Sequence, residues 1–375
     1  MKQPGLSLEG LRQTGHDRAA ASLAFPLQQV RFRVAAYAQA FPSTVLENIE
    51  LARQLGVDPE WIRERCGVHA RFVSGPTETT TTLGVNAARQ ALAKAPSFRP
   101  DCLVCATFTP DYPLCPCGPA MAHALEMGPI PAFALNAACS GGVLGLITAL
   151  SFIAAGTAQR VLLIASDTVT HHLADDDAQT RILFGDGAAA FLIEPSDEGI
   201  ALRSWVMGSD GAGAKLFHVP HGGSAAPWQA PGNGDPRGAT VAMQGRSLFR
   251  FASQRGTDML LETCGKAGIQ TDDLDWVLVH QANIRIVEQL QERTGIAREK
   301  WVVNMGGIGN TCSASVLLAL EDMLDRNLTR PGDAVLLAGF GAGLTWAAAL
   351  FEWGRPASSS LPADQKRHRP MQHLP

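Results

Sequence analysis

The chain has 375 residues, enough for one large domain or two of ordinary size. Its 46% hydrophobic and 18% charged residues suit a well-buried core, and a net charge of −4 with no basic run argues against a nucleic-acid partner. Eight cysteines, with charges and turn formers where a secretory apolar core would stand, predict reduced thiols in a cytoplasmic protein.

In chain order, residues 1–28 are small and polar and read as a flexible leader. The strand-like "LQQVRFRVAAYAQAFP" follows, then "STVLENIELARQLG", which has helical period. "TTTTLGVNAARQALAKA" predicts an amphipathic helix with threonines to cap it. "DCLVCATFT" and "RVLLIASD" are short apolar runs of the kind buried in parallel or mixed sheets. Cys102 and Cys105 stand three apart on the first run. A strand aims them at opposite faces, so they read as core filling rather than a chelate. Cys115 and Cys117, in the proline-rich "PLCPCGP", have no second pair of ligands to complete a metal site.

Between those two strands runs "ALNAACSGGVLGLITALSFIAAGTA", uncharged over more than the ~20 residues that span a bilayer. Asn136, Ser140, Thr148, Ser151 and the Gly141–Gly142 pair interrupt it, and no basic flank frames it. A helix apolar on all sides also suits the centre of a large α/β protein, so the run is read as buried, with no membrane span. "TVTHHLADDDAQTR", with His171 beside His172, reads as a solvated loop rather than a metal site. Residues 218–240, rich in Gly, Pro and Ala, read as a long loop, and residues 355–375 as a flexible tail.

Two internal likenesses indicate duplication. "LFGDGAAAFLIE" resembles "GFGAGLTWAAALFE", and "ACSGGVLGLITAL" resembles "TCSASVLLALEDML". They predict an α/β protein of two similar halves, residues 29–198 and 199–354.

Four segments carry candidate chemistry. Cys139 in "AACSGG" has small neighbours that leave room for a thioester, and a helix start behind it whose dipole favours a thiolate. Taken alone it is either a nucleophile or a small buried residue. His280 ends the apolar strand of "WVLVHQANIRIVEQL", the end at which α/β proteins place catalytic groups. Asn310 lies in the glycine-rich "NMGGIGNTCSAS", where an amide is able to donate to an oxyanion or simply stabilise a turn. In "AGFGAGLTW", Gly341, Ala342 and Gly343 let the backbone pass close to a ligand and offer N–H groups to an oxyanion.

Together and in this order, these segments resemble a β-ketoacyl-acyl carrier protein synthase III, a condensing enzyme of the thiolase fold. "EWIRERCGVHAR", "TPDY" and "LFGDGAAA" resemble it too, and the likeness covers about residues 30–354. It implies a five-layer αβαβα architecture with two duplicated halves. It implies that Cys139 accepts the acyl group, and that His280 and Asn310 donate hydrogen bonds to the extender carbonyl and its enolate. The N–H groups of Cys139 and Ala342 would form the second oxyanion hole, with Phe340 near the reacting carbon. Trp61 and Arg65 match residues that hold the coenzyme A nucleotide. Asn283, Met243, Gly245 and Phe249 match the substrate tunnel, and Arg250 and Arg285 match positions that receive an acidic acyl carrier protein. The implied reaction is ping-pong acyl transfer followed by decarboxylative condensation with a malonyl-type thioester. It needs no cofactor beyond the coenzyme A or carrier-protein thioesters that are its substrates. A homodimer is implied as well. A related synthase type that relies on a Glu base is disfavoured by the donor pair.

The sequence departs from the family in "TPDYPLCPCGP", which has one extra residue and Leu114–Cys115 where a Phe is usual. In the family that loop helps line the acyl pocket across a dimer interface, so the resemblance implies an acyl chain longer than acetyl, or of another shape, in fatty acid or specialised metabolite biosynthesis. Ala178 stands where some members have an adenine-gripping arginine, with Arg181 nearby, which favours a carrier-protein donor. Ala342 replaces a usual Gly, and Cys312 a usual Ser, the latter read as a bystander. The competing functions are acyl transfer to an O, N or S acceptor, and a non-catalytic partner subunit. Retention of Asn310 and of Cys139 argues against each in turn.

Overall fold

In a computed structural model of the chain, Leu27, residues 30–227 and residues 236–354 are described. The expected leader, Leu27 apart, and the expected tail lie outside the described residues, as does part of the 218–240 loop.

Runs rich in Val, Leu, Ile and Ala fold as strands, and the amphipathic stretches between them fold as helices that cover those strands. The first part contains β1 (Arg31–Ala40), β2 (Thr44–Glu47), α1 (Asn48–Leu55), α2 (Pro59–Cys66), β3 (Ala70–Val73) and α3 (Thr80–Lys94). Then come β4 (Cys102–Ala106), α4 (Cys117–Ala124), β5 (Ala132–Leu135), α5 (Gly141–Ala154), β6 (Val161–Asp167), α6 (Ala178–Arg181) and β7 (Gly187–Pro195). The second part contains β8 (Ile200–Ser209), β9 (Phe217–His218), β10 (Ala242–Met243), α7 (Gly245–Ala267), β11 (Trp276–Val279), α8 (Ile284–Thr294), α9 (Ser315–Asp325), β12 (Ala334–Gly341) and β13 (Thr345–Glu352).

Nine strands join in the order β11-β12-β13-β8-β1-β7-β6-β4-β5. Each half repeats one plan. In the first, β1 pairs antiparallel with β7, β7 antiparallel with β6, and β6 parallel with β4, which is parallel to β5. In the second, β8, β13, β12 and β11 repeat the same relations. A lone parallel bridge from Val277 to Trp301 stands where the counterpart of β5 belongs. Among the described residues, the two half-sheets pair through Arg31–Ala201 and Phe32–Ile200 on β1 and β8. Helices α5 and α9 lie between them, each touching strands of both halves. Helices α3 and α4 cover one outer face and α7 the other, with α8 against it, completing the α-β-α-β-α layering. Three apolar clusters fill the central and two outer interfaces. Cys102 belongs to the central cluster and Cys105 to an outer one, as strand alternation requires.

The uncharged run forms the 14-residue α5, which is apolar because sheet packs on both of its sides. No helix among the described residues is long and apolar enough to cross a membrane. One element differs from its pattern. In "STVLENIELARQLG" the helix begins only at Asn48, because Thr44–Glu47 pairs antiparallel with Ala70–Val73. The β-branched Thr44 and Val45 favour that ladder over a helical turn.

Glu321 on α9 is 3% exposed, and its Oε2 has no partner among the described residues. Burial, then the charge of Asp325, push its carboxyl up to about 8, against a pull from Lys94. Between pH 4.5 and about 8 the folded state therefore keeps a proton that the unfolded chain releases, and stability falls as pH rises through that window. The Glu321→Gln variant should melt about 2 °C or more above the parent at pH 9 and with it at pH 4, measured by calorimetry. A lower melting point at pH 9 would contradict this.

Candidate active site

Cys139 sits in the 3-10 turn Ala138–Ser140, which runs into α5. The start of this 14-residue helix adds its partial positive charge beside the sulfur. Ala138 is held at φ 45, a left-handed conformation that costs a non-glycine residue about 1 kcal/mol or more and turns the chain sharply. The end of β12 passes directly over this turn. A Cβ on Gly341 would come within 2.7 Å of Cys139 N, and one on Gly339 within 2.8 Å of Ser140 Cα. Glycine is therefore required at both positions. Thr345 locks the contact, with Oγ1 2.8 Å from Ala137 O and 3.0 Å from Ser140 Oγ. Among the described residues, neither the Cys139 nor the Ala342 N–H makes a turn hydrogen bond to another backbone carbonyl.

A second turn, Cys312–Ala314, precedes α9 and packs against the first. Cys312 has φ 54 and so occupies the place of Ala138. The two Cys-Ser dipeptides that look alike in the sequence are thus one residue out of register, and Cys139 corresponds to Ser313. This offset lays the buried Cys312 thiol against Cys139. A hydrogen bond from Cys312, joined by the charge and hydrogen bond of His280, outweighs burial and holds the Cys139 thiol well below its ordinary pKa of 9.0. Burial and the Cys139 sulfur push the Cys312 thiol up. Cys312, read from sequence as a bystander, thus acts on the Cys139 thiol.

His280 follows β11, with its N–H donating to Ala338 O at 2.7 Å. Its ring stands edge-on to Phe340, centroids 5.6 Å apart, and its Nδ1 is buried without a partner among the described residues. Asn310 is fixed by the first half: its N–H donates to Leu183 O at 2.8 Å, and its carbonyl accepts from Gly185 N at 3.1 Å. Its Oδ1 accepts from Cys312 N at 3.0 Å, which turns the amide nitrogen, a donor, to the cavity. Gln281, which carried no role in the sequence reading, is buried. Its side chain donates to Val302 O and accepts from Asn304 N and Met305 N, tying the His280 strand to the Asn310 loop.

Cys139, His280, Asn310, Phe340 and Ala342 open on one cavity of 740 Å³. Met243, Gly245, Phe249 and Asn283 line it, and so do Trp61, Arg65 and Arg285, all three exposed. Asn283 also caps α8, accepting from Arg285 N, and donates to Arg65 O, which clips α8 to α2. Arg250 is exposed on α7 and does not line the cavity. Leu114 and Cys115 do not reach it either. Leu114 has φ 68 and is 105% exposed, so in its own chain this loop points outward. Arg181 is occupied by Asp175 and Gln54 and is not a cavity residue, although Gln179 from the same helix is. His172 is half-buried rather than fully solvated and lines a second cavity of 470 Å³ beyond the nucleophile.

A family model for 3-oxoacyl-[acyl-carrier-protein (ACP)] synthase III matches residues 133–211, and one for its C-terminal part matches residues 264–353. The chain is 41% identical over 318 residues to beta-ketoacyl-[acyl-carrier-protein] synthase III 3 of Streptomyces coelicolor, covering 83% of this chain and 94% of that one. The fold is similar to that of 3-oxoacyl-(acyl carrier protein) synthase III from Pseudomonas aeruginosa PAO1. There the TM-score is 0.79 at 34% identity, over 87% of this chain and 99% of the other. It is also similar to the priming beta-ketosynthase of the R1128 polyketide pathway, with a TM-score of 0.78 at 32% identity, over 87% and 98% of the two chains.

The thiolate at Cys139 is measurable as the pH dependence of its alkylation by iodoacetamide, followed by peptide mass spectrometry. The midpoint should lie well below that of an ordinary thiol. It should rise by about one pH unit or more in Cys312→Ala, and stay low in Cys312→Ser, whose hydroxyl still donates. An unchanged midpoint in Cys312→Ala would remove Cys312 from this role.

Proposed function

The chain belongs to the β-ketoacyl-[acyl-carrier-protein] synthase III family of condensing ketosynthases, and on that footing we propose a two-step exchange in which Cys139 carries the acyl group between two thioesters. In the first step the Cys139 thiolate attacks the carbonyl of an acyl thioester. The N–H groups of Cys139 and Ala342 hold the oxyanion, and the donor thiolate leaves. In the second step a malonyl-type thioester enters the same cavity and loses carbon dioxide. The electron pair of the broken bond becomes an enolate, whose oxygen is held by His280 and the Asn310 amide. The enolate carbon attacks the acyl carbonyl, and the Cys139 thiolate departs with its electron pair. Decarboxylation generates the carbanion without proton removal, so donors are needed and a carboxylate base is not.

The observation that carries this reading is the meeting of Cys139, His280 and a donor-oriented Asn310 in one cavity with a surface mouth. The orientation of Asn310 favours condensation over transfer to an oxygen, nitrogen or sulfur acceptor, which forms no enolate. The relatives' names point to an acyl carrier protein as one thioester donor. Arg285 at the mouth, with Arg250 on α7, suits an acidic carrier, while Trp61, 41% exposed, and Arg65 suit a nucleotide or pantetheine arm. A homodimer accounts for the outward Leu114 and for Tyr112, 70% exposed, as surface that a second copy covers.

Intact-mass measurement after incubation with acyl thioesters should give one acyl adduct on the parent and none on Cys139→Ala. His280→Ala and Asn310→Ala should still acquire the acyl mass but release carbon dioxide from malonyl thioester roughly 100-fold more slowly or worse. An acyl adduct on Cys139→Ala would overturn the assignment of the nucleophile.

A further inference from the structure

The space around Cys139 does not end at the sulfur. The second cavity, 470 Å³, meets the first at Phe108, Ala138, Phe217 and Ala342, which line both. Ala138 precedes the nucleophile and Ala342 stands at its oxyanion site. An acyl chain held on Cys139 with its oxygen against Ala342 N–H therefore has direct entry to this chamber. Its volume far exceeds the need of an acetyl group and falls within the range of small-molecule pockets.

The walls are mainly apolar, including Val169, Val219 and Val241. Two imidazoles interrupt them, beside Thr109, Asn136 and Thr345, whose side-chain oxygens are already bonded within the fold. His172 closes the 3-10 turn Val169–His172, and His218 ends β9, opposite Ala242 of β10. Among the described residues no side-chain hydrogen bond holds either ring, and His218 Nδ1 is buried without a partner. The adjacent His171 is different: its Nε2 lies 3.2 Å from Ser74 O. Burial and the neighbouring His171 hold the His172 pKa down, against a pull from Asp186, so at pH 7 this ring is a neutral donor and acceptor. Half-buried polar rings without partners on an apolar wall are costly against a plain alkyl chain, which leaves them unpaired. A hydroxyl or carbonyl oxygen on the chain would satisfy them. A carboxylate is disfavoured beside His172, whose charged form burial and His171 oppose.

Building on the reading of Cys139 as acyl carrier, we propose that the chamber selects an acyl chain bearing a neutral oxygen substituent, a hydroxyl or a keto group, and that His172 and His218 recognise it. The test is the rate of Cys139 acylation, by intact mass, with octanoyl-CoA and its 3-, 5- and 7-hydroxy and 3-, 5- and 7-oxo forms. At least one oxygenated form should outrun octanoyl by about tenfold or more. The preference, read within each variant as the ratio of the oxygenated to the octanoyl rate, should collapse in His218→Phe or His172→Phe. Octanoyl outrunning every oxygenated form would overturn the proposal. So would a preference that survives in both variants. Acylation by none of the thioesters would instead remove the reading of Cys139 itself, and the proposal with it.

Discussion

The structure depends on one contact, between the turn that carries Cys139 and the turn that carries Cys312. A single buried carboxylate fastens the Cys312 turn to the first half. Asp167, at the end of β6 in the first half, accepts from Ser313 N at 2.9 Å and from Ser313 Oγ in the second half. On its own side it accepts from Thr107 Oγ1, Phe108 N and Thr109 Oγ1, at 2.9–3.0 Å. Burial raises its pKa to about 6 although these donors pull the other way, so at neutral pH it is an anion held by hydrogen bonds alone. Both halves start their central helices at this junction. The duplicated fold thereby delivers one turn from each repeat to the same point, where α5 and α9 begin.

The chemistry follows from that junction. The first half contributes the sulfur and the helix dipole behind it. The second contributes the imidazole, the carboxamide, a second thiol and the backbone of Ala342. Two of these second-half groups are in turn set by the first: Asn310 by Leu183 and Gly185, and the Cys312 turn by Asp167. The close approach is possible because Gly339 and Gly341 carry no side chain over the nucleophile. No strong base is needed in such a site. Donors lower the thiol pKa, and the same kind of donor suits an enolate made by loss of carbon dioxide.

Much of this was legible in the sequence because it is local. Cys139 before a helix of small residues, His280 at a strand end and Asn310 in a glycine loop each bear the mark of their immediate neighbours. The opposite facing of Cys102 and Cys105 follows from strand period alone. What was not legible depends on contacts between distant segments. The role of Cys312 arises from a one-residue offset between two similar turns, which the likeness of their sequences conceals. Nothing local marks Gln281, and only the fold reveals the Asn304 and Met305 N–H groups waiting for it. His172 and His218 lie in segments read as loops, and nothing local announces that both border one chamber. Thr44–Glu47 shows the same limit, since its strand exists through a partner at residues 70–73.

The central claim is that both halves act on one acyl group at one sulfur. The most direct measurement is a crystal structure of the protein acylated by a thioester. The expected result is an acyl group on Cys139 Sγ, its carbonyl oxygen within about 3 Å of the N–H groups of both Cys139 and Ala342. His280 and Asn310 should face the other side of that carbonyl carbon. An acyl group found on Cys312, or a carbonyl turned away from Ala342 toward His280, would contradict the account.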